Sequence, residues 1–273
     1  MILVGVVALA GLFEHYDLSV LSAALKQIRE SFGLDQSEMT SMLAWVRLGA
    51  IPAFLFLPLA DRVGRRPVFL AAIVGMSLAT VASGLAQTSL QFILAQTISR
   101  TFVVAIIATA VVIIAEELPA EHRGWGIGML GAIGAFGYGL GALLYAFVDS
   151  LPFGWRSLYM VGGLPLLLIP MLRRRVPETS RFIEMRREQE AGSAPPGFLQ
   201  PMLELLGKYP ARSFAVAAMA LSFAIGAGPA FGLLSDFVQT THGWEASSNS
   251  FMAIGAGAVG LIGNPGMWCA ADV

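Results

Sequence analysis

Apolar residues fall into eight long blocks along this chain, at about residues 1–25, 40–60, 67–86, 89–115, 124–148, 156–172, 213–237 and 249–269. Each approaches or exceeds the roughly 20 residues that an α-helix needs to cross the hydrocarbon core of a bilayer. Glycine and proline recur inside them, which spanning helices tolerate because neighbours re-satisfy the backbone and close helix contact needs small residues. The pattern predicts an all-α, multi-pass membrane protein in which eight helices span.

The polar stretches between the blocks organise the chain. The longest, Arg173 to Arg212, has Arg-rich ends and a Gly-Ser-Ala-Pro-Pro-Gly patch at 192–197 that favours a flexible turn or extended linker. It separates six helices from the remainder, giving an expected first bundle at 1–172, a linker at 173–212 and the beginning of a second bundle at 213–273. Two bundles around a midplane site are a transporter architecture. The shortest polar stretch, Leu59-Ala60-Asp61-Arg62-Val63-Gly64-Arg65-Arg66, is a tight charged hinge between adjacent spans.

Charge then sets the expected orientation. Arg62, Arg65, Arg66, Arg123, Arg173, Arg174, Arg175, Arg181, Arg186, Arg187, Lys208 and Arg212 fall on one side of the spans, and Lys26, Arg29 and Arg156 on the other. The excess of basic residues places the first side, with the N-terminus and the linker, in the cytoplasm. The expected location is the plasma (cell inner) membrane.

Composition agrees with the bilayer as solvent: 56% of residues are hydrophobic and 13% charged, against about a quarter charged in soluble domains. The net charge of -1 carries no nucleic-acid footprint. The single cysteine, Cys269, excludes an internal disulfide and reads as a small apolar residue. No nucleophile with its base, metal-ligand spacing, phosphate loop or cofactor fingerprint is found, so neither an enzyme nor a cofactor is expected.

The charges left inside the apolar blocks are the candidate chemistry. Asp17 in the first block and Arg100 in the fourth each cost about 2.5 to 3.5 kcal/mol to insert, and such costs require partners. Glu14 lies three residues before Asp17 on a similar helical face. His15 reads as an interface residue. Arg47 in the second block either snorkels along its stem toward the outer face or helps to bind an anion. The glycines of the fifth block, Gly131, Gly134, Gly137, Gly139 and Gly141, suit close helix packing.

Three motifs carry a family resemblance. Asp61-Arg62-Val63-Gly64-Arg65-Arg66 resembles the loop between helices 2 and 3 of the major facilitator superfamily, with Leu57 where a leading glycine usually lies. Glu116 to Gly124 is similar to the turn after helix 4 in its sugar and metabolite proton symporters, with Pro119, Arg123 and Gly124 in step. Pro177-Glu178-Thr179-Ser180-Arg181 is similar to the signature after helix 6.

The resemblance implies a fold with a complete six-helix N-terminal bundle and about two helices of the second. It also implies a small-molecule substrate and a proton as partners. It pairs Asp17 with Arg100 as a proton switch, with Glu14 as a reserve carboxylate; a static ion pair that orders the helices is the alternative. It places Asp61, Arg62, Gly64, Arg65, Arg66, Glu116, Arg123, Glu178 and Arg181 in a conformational gate at the cytoplasmic helix ends. Tyr138 stands where the sugar branch carries a glutamine, and Ser222-Phe223-Ala224-Ile225-Gly226-Ala227-Gly228-Pro229 stands where it carries paired glutamines. A hydroxyl-rich ligand would miss those amides, so a less polyhydroxylated small metabolite such as an organic or aromatic acid is expected, with a sugar-like substrate as the other reading. The family has twelve helices, and the final Ala271-Asp272 echoes Ala60-Asp61, so a chain shortened at its C-terminus is expected, with a non-transporting remnant or membrane scaffold as the alternative.

Overall fold

A chain segment in hydrocarbon must satisfy its own backbone hydrogen bonds, and every long apolar block here does so as helix. The computed structural model describes residues 2–191 and 200–271; the 192–197 patch and Asp272 lie outside the described residues, and Cys269 lies outside the described side chains. The first block forms α1 (Ile2–Ala23), followed by the short α2 (Leu25–Phe32). Among the described residues seven stretches are long and apolar enough to cross a membrane, the last being Pro210–Thr241. The eighth block is also helical, as the 26-residue α14 (Ala246–Ala271).

Two of the blocks are broken helices. The second runs as α3 (Gln36–Leu48), α4 (Ala50–Ala53) and α5 (Phe56–Val63), interrupted at Gly49 and at Phe54–Leu55. Asp35 starts α3 four residues before the apolar block, through a capping box with Glu38 at 2.7 and 2.9 Å. The sixth block divides at Gly162-Gly163-Leu164 into α9 (Trp155–Val161) and α10 (Pro165–Arg175). The third, fourth and fifth are the single helices α6 (Arg65–Leu85), α7 (Ser89–Glu117) and α8 (Ala120–Tyr145). In the polar stretch, helices α11 (Ser180–Glu190) and α12 (Gln200–Lys208) flank residues 192–199, so the chain expected to be extended or flexible is helical on both sides. The seventh block lies in α13 (Pro210–Thr241).

The glycines of α8 form a seam against α1. A Cβ at Gly137 would run into the Leu12 carbonyl, one at Gly134 would lie 2.6 Å from the His15 ring, and one at Gly141 would lie 2.7 Å from Ser19 Cβ. Gly131 and Gly139 face open space. The seam holds the two helices at backbone contact, as the spacing of small residues predicts. At one end Tyr16, Leu25, Phe92, Trp155 and Tyr159 form an apolar cluster, and at the other Val7, Phe69, Ile73, Ile106 and Leu172 form a second. Trp45, Ile51, Phe54, Leu94, Phe136 and Leu167 are exposed on the outside, where a bilayer would meet them.

Candidate transport site

Asp17 lies at the junction of three helices. Its side chain is buried, and its two oxygens accept hydrogen bonds from Thr80 Oγ1 of α6 at 2.7 Å and Ser99 Oγ of α7 at 3.3 Å. The two hydroxyls are themselves 3.2 Å apart. The neighbouring Tyr16 donates to the Leu158 carbonyl of α9 at 2.8 Å, which fixes the rotation of α1 at this level. The carboxylate is therefore solvated by hydroxyls rather than by a cation. Among the described residues Arg100 makes no ion pair within 4.0 Å, although it stays within electrostatic reach of Asp17 and Glu14. The resemblance pairs Asp17 with Arg100; in this structure the hydrogen bonds to the carboxylate come from Thr80 and Ser99. Glu14 is buried and contacts His15, whose Nδ1 also lies 2.9 Å from the Gly11 carbonyl.

A cavity of about 410 Å³ opens beside α1, between α8 on one side and α13 and α14 on the other. That is within the range of about 300 to 1,000 Å³ common for small-molecule sites. Its wall is largely apolar, with Phe231 and Met252, and carries polar atoms on Tyr138, Ser22, Asn249 and Ser250. Tyr138, which stands where the resemblance has a glutamine, is one of these lining residues. A smaller pocket of about 130 Å³, lined by Ser22, Arg47, Arg100 and Gly232 among others, lies between α1, α3, α7 and α13.

At the end of the molecule that holds Asp61, the charged motifs from three parts of the sequence converge on Arg65. Its guanidinium meets Asp61 and Glu116, each at 3.0 Å, and lies over the Phe182 ring at 5.4 Å. Glu178 Oε1 accepts the backbone N–H groups of Arg65, Arg66 and Thr179 at 2.9, 3.2 and 3.1 Å. Arg66 also donates to the Arg173 carbonyl. Gly64, between α5 and α6, has φ +116, a conformation that disfavours a Cβ, and a Cβ there would also collide with Glu178. Arg62 is exposed on the same turn. Arg123 donates instead to the Leu118 carbonyl at 3.1 Å, and Arg181 is exposed with no ion pair within 4.0 Å among the described residues. Sequence reasoning did not single out Glu117, which accepts the Ser180 N–H at 2.7 Å.

The opposite end holds a second polar junction, which motif reasoning also passed over. Arg29 of α2 meets Asp236 of α13 at 3.3 Å, and Gln36 donates to the other Asp236 oxygen at 3.2 Å. The Tyr145 hydroxyl lies 2.9 Å from Gln27 Oε1 and 2.8 Å from Gln239 Oε1, while Asn249 donates to Ser235 Oγ at 2.8 Å. Asp236 is 2% exposed, and an ionisable residue near the end of an apolar block was the available signal. Along α13, Ser235, Asp236, Val238 and Gln239 are buried against the first helices, whereas residues 220–226 are exposed.

Apolar helices of spanning length, charge clusters at both ends and a partly polar cavity between helices together define a multi-pass membrane protein. The chain belongs to the Major Facilitator Superfamily, whose family model matches residues 7–272. It is 30% identical over 178 residues to the gallate transporter of Pseudomonas putida, covering 64% of this chain and 39% of that protein. It is 23% identical over 188 residues to the benzoate transport protein of Acinetobacter baylyi, covering 66% of this chain and 40% of that protein. Among solved structures, a D-xylose-proton symporter superposes with a TM-score of 0.74 at 22% identity, covering 95% of this chain and 66% of that one. The chain spans about two-fifths of the length of these two curated relatives.

Proposed function

We propose that this protein is a secondary active transporter of a small organic acid, of the aromatic carboxylate class, that works by alternating access and couples uptake to protons. The observation that carries the reading is the cavity of about 410 Å³ set between α1 and α8 on one side and α13 and α14 on the other. A site bounded by two sets of helices is exposed to one face or the other as the sets rock. The names of the gallate and benzoate relatives support the substrate class. The wall of Tyr138, Phe231 and Met252 suits a flat apolar ring better than a polyol.

Asp17 is the proton carrier in this reading. Thr80 and Ser99 stabilise its charged form, and burial opposes it, so a helix shift that removes the hydroxyls moves a proton onto the carboxylate. Glu14 is the reserve carboxylate, and Arg100 modulates both from a distance. The Arg65 cluster, with Asp61, Arg66, Glu116 and Glu178, is a latch between helix ends. Arg62, Arg123 and Arg181 complete the basic rim that holds this end in the cytoplasm. Residues 1–172 are the first bundle, 173–212 the linker and 213–273 part of the second, in the plasma (cell inner) membrane.

Radiolabelled benzoate uptake into proteoliposomes, with an inward proton gradient and after its collapse by a protonophore, tests the reading. Gradient-dependent accumulation is expected. Equal uptake with and without the gradient removes proton coupling, and uptake no greater than in empty liposomes removes transport of this acid.

A further inference from the structure

Where α6 begins and α10 ends, an open pocket of about 470 Å³ is lined by Arg66, Ile169, Pro170, Arg173 and Arg174, none of them acidic. The arginines of the two helices are held together by a contact: Arg66 Nη2 donates to the Arg173 carbonyl, which ties the first turn of α6 to the last turn of α10. Among the described residues none of the three guanidinium groups forms an ion pair within 4.0 Å.

The acids at this end have other partners. Asp61 and Glu116 face Arg65, Glu178 accepts backbone amides, and Glu117 accepts the Ser180 N–H. Three guanidinium groups at one place attract concentrated negative charge, and their planar N–H forks match phosphate oxygens. The adjoining surface is apolar: Pro67, Ala71 and Leu78 are exposed on α6, and Leu167, Pro170 and Met171 on α10. From Arg66 to Leu78 α6 rises about 18 Å, close to the roughly 15 Å hydrocarbon depth of one leaflet. A ligand that fits both features carries an anionic head and long apolar tails.

We propose that Arg66, Arg173 and Arg174 bind the phosphate of an anionic phospholipid, whose acyl chains lie along the exposed apolar faces of α6 and α10. Basic pockets at the membrane surface recognise such headgroups by charge. A soluble phosphate has the charge and lacks the tails, so it would use only the polar part of this surface. The bound lipid would bridge the helix ends on either side of the Arg65 cluster, since Arg66 follows Arg65 in the chain and Arg173 and Arg174 precede Glu178. The proposal does not depend on which metabolite is transported.

Lipid binding by the full chain tests it. The protein, delipidated in neutral detergent, is titrated with dioleoylphosphatidylglycerol or with dioleoylphosphatidylcholine, and bound lipid is counted by native mass spectrometry. A basic residue beside an anionic lipid changes affinity roughly fivefold. Phosphatidylglycerol is therefore expected to bind at least roughly tenfold tighter than phosphatidylcholine. Arg173→Gln combined with Arg174→Gln, both at exposed positions, is expected to weaken phosphatidylglycerol roughly 25-fold and to leave phosphatidylcholine unchanged. Arg186→Gln combined with Arg187→Gln removes the same charge from α11 and is expected to leave both lipids unchanged. Arg66→Gln is a separate variant from the other helix, expected to weaken phosphatidylglycerol roughly fivefold. Equal affinity for the two lipids, equal losses in the two double variants, or unchanged phosphatidylglycerol binding by a folded Arg173→Gln, Arg174→Gln chain would each overturn the site. Inorganic phosphate at the same concentration as the lipid is expected not to displace it; displacement would assign the pocket to a soluble anion and overturn the lipid.

Discussion

Arg29 and Asp236 meet at 3.3 Å across the junction between α2 and α13, with the aspartate 2% exposed. They are the most buried ion pair joining the first helices to α13 among the described residues. A buried carboxylate that loses its cation keeps its desolvation cost. Arg29→Gln is therefore expected to destabilise this junction by on the order of 3 kcal/mol, and Arg29→Gln with Asp236→Asn by less than Arg29→Gln alone. Thermal unfolding of the four chains in detergent, run as a double-mutant cycle, measures the coupling. Additive single effects would show that the pair contributes nothing beyond its members.

Asp17→Asn keeps the size and one acceptor oxygen of the side chain but removes the titrating group. Gradient-driven accumulation of benzoate is expected to fall to the level of passive equilibration, while counterflow exchange persists because the cavity is untouched. Retained accumulation would transfer the coupling role away from Asp17, and Glu14→Gln is then the next substitution to measure.

The glycine seam makes a paired prediction on one helix. Gly137→Ala forces a methyl group against the Leu12 carbonyl and is expected to cost about 1 to 3 kcal/mol as α1 and α8 separate. Gly139→Ala, two residues along, meets nothing within 4 Å and is expected to be neutral or slightly stabilising. Folded yield by fluorescence-detected size exclusion and melting temperature would report both, and a similar loss in the two variants would argue against the seam.

Gly64→Ala combines an unfavourable φ of +116 with a collision at Glu178. It is expected to cost roughly 1 to 3 kcal/mol. The damage should concentrate at the junction of α5, α6 and Glu178, so hydrogen exchange at the Arg65 and Arg66 amides is expected to rise before that at Asp17. A uniform rise across the helices would point to global unfolding instead.

Most of the helices were legible from block length alone, because a bilayer leaves the backbone few other choices. What block length did not show were the breaks at Gly49, at Phe54–Leu55 and at Gly162 to Leu164, since each side of a break is equally apolar. Asp17 was legible as an isolated charge, but its partners were not. Thr80 and Ser99 are unremarkable on their own helices and matter only because α1, α6 and α7 bring them to the same level. The same holds for Asp236, which lies close to the polar end of its block and gains its meaning from Arg29, distant in sequence. The Arg65 cluster was legible in three motifs, but a motif does not say which of its charges turn inward: Arg62 and Arg181 are exposed and Arg123 donates to the Leu118 carbonyl.

Glu178 Oε1 serves three amides at once, two at the start of α6 and one in its own segment before α11. Because the Arg65 and Arg66 amides share this one acceptor, moving Glu178 away from α6 takes both bonds together and uncaps the first turn of the helix, while the Thr179 bond, within the segment of Glu178 itself, travels with it. Motion at this end would then have a threshold, more like a catch that trips than a spring that stretches. Intermediate openings would be sparsely populated.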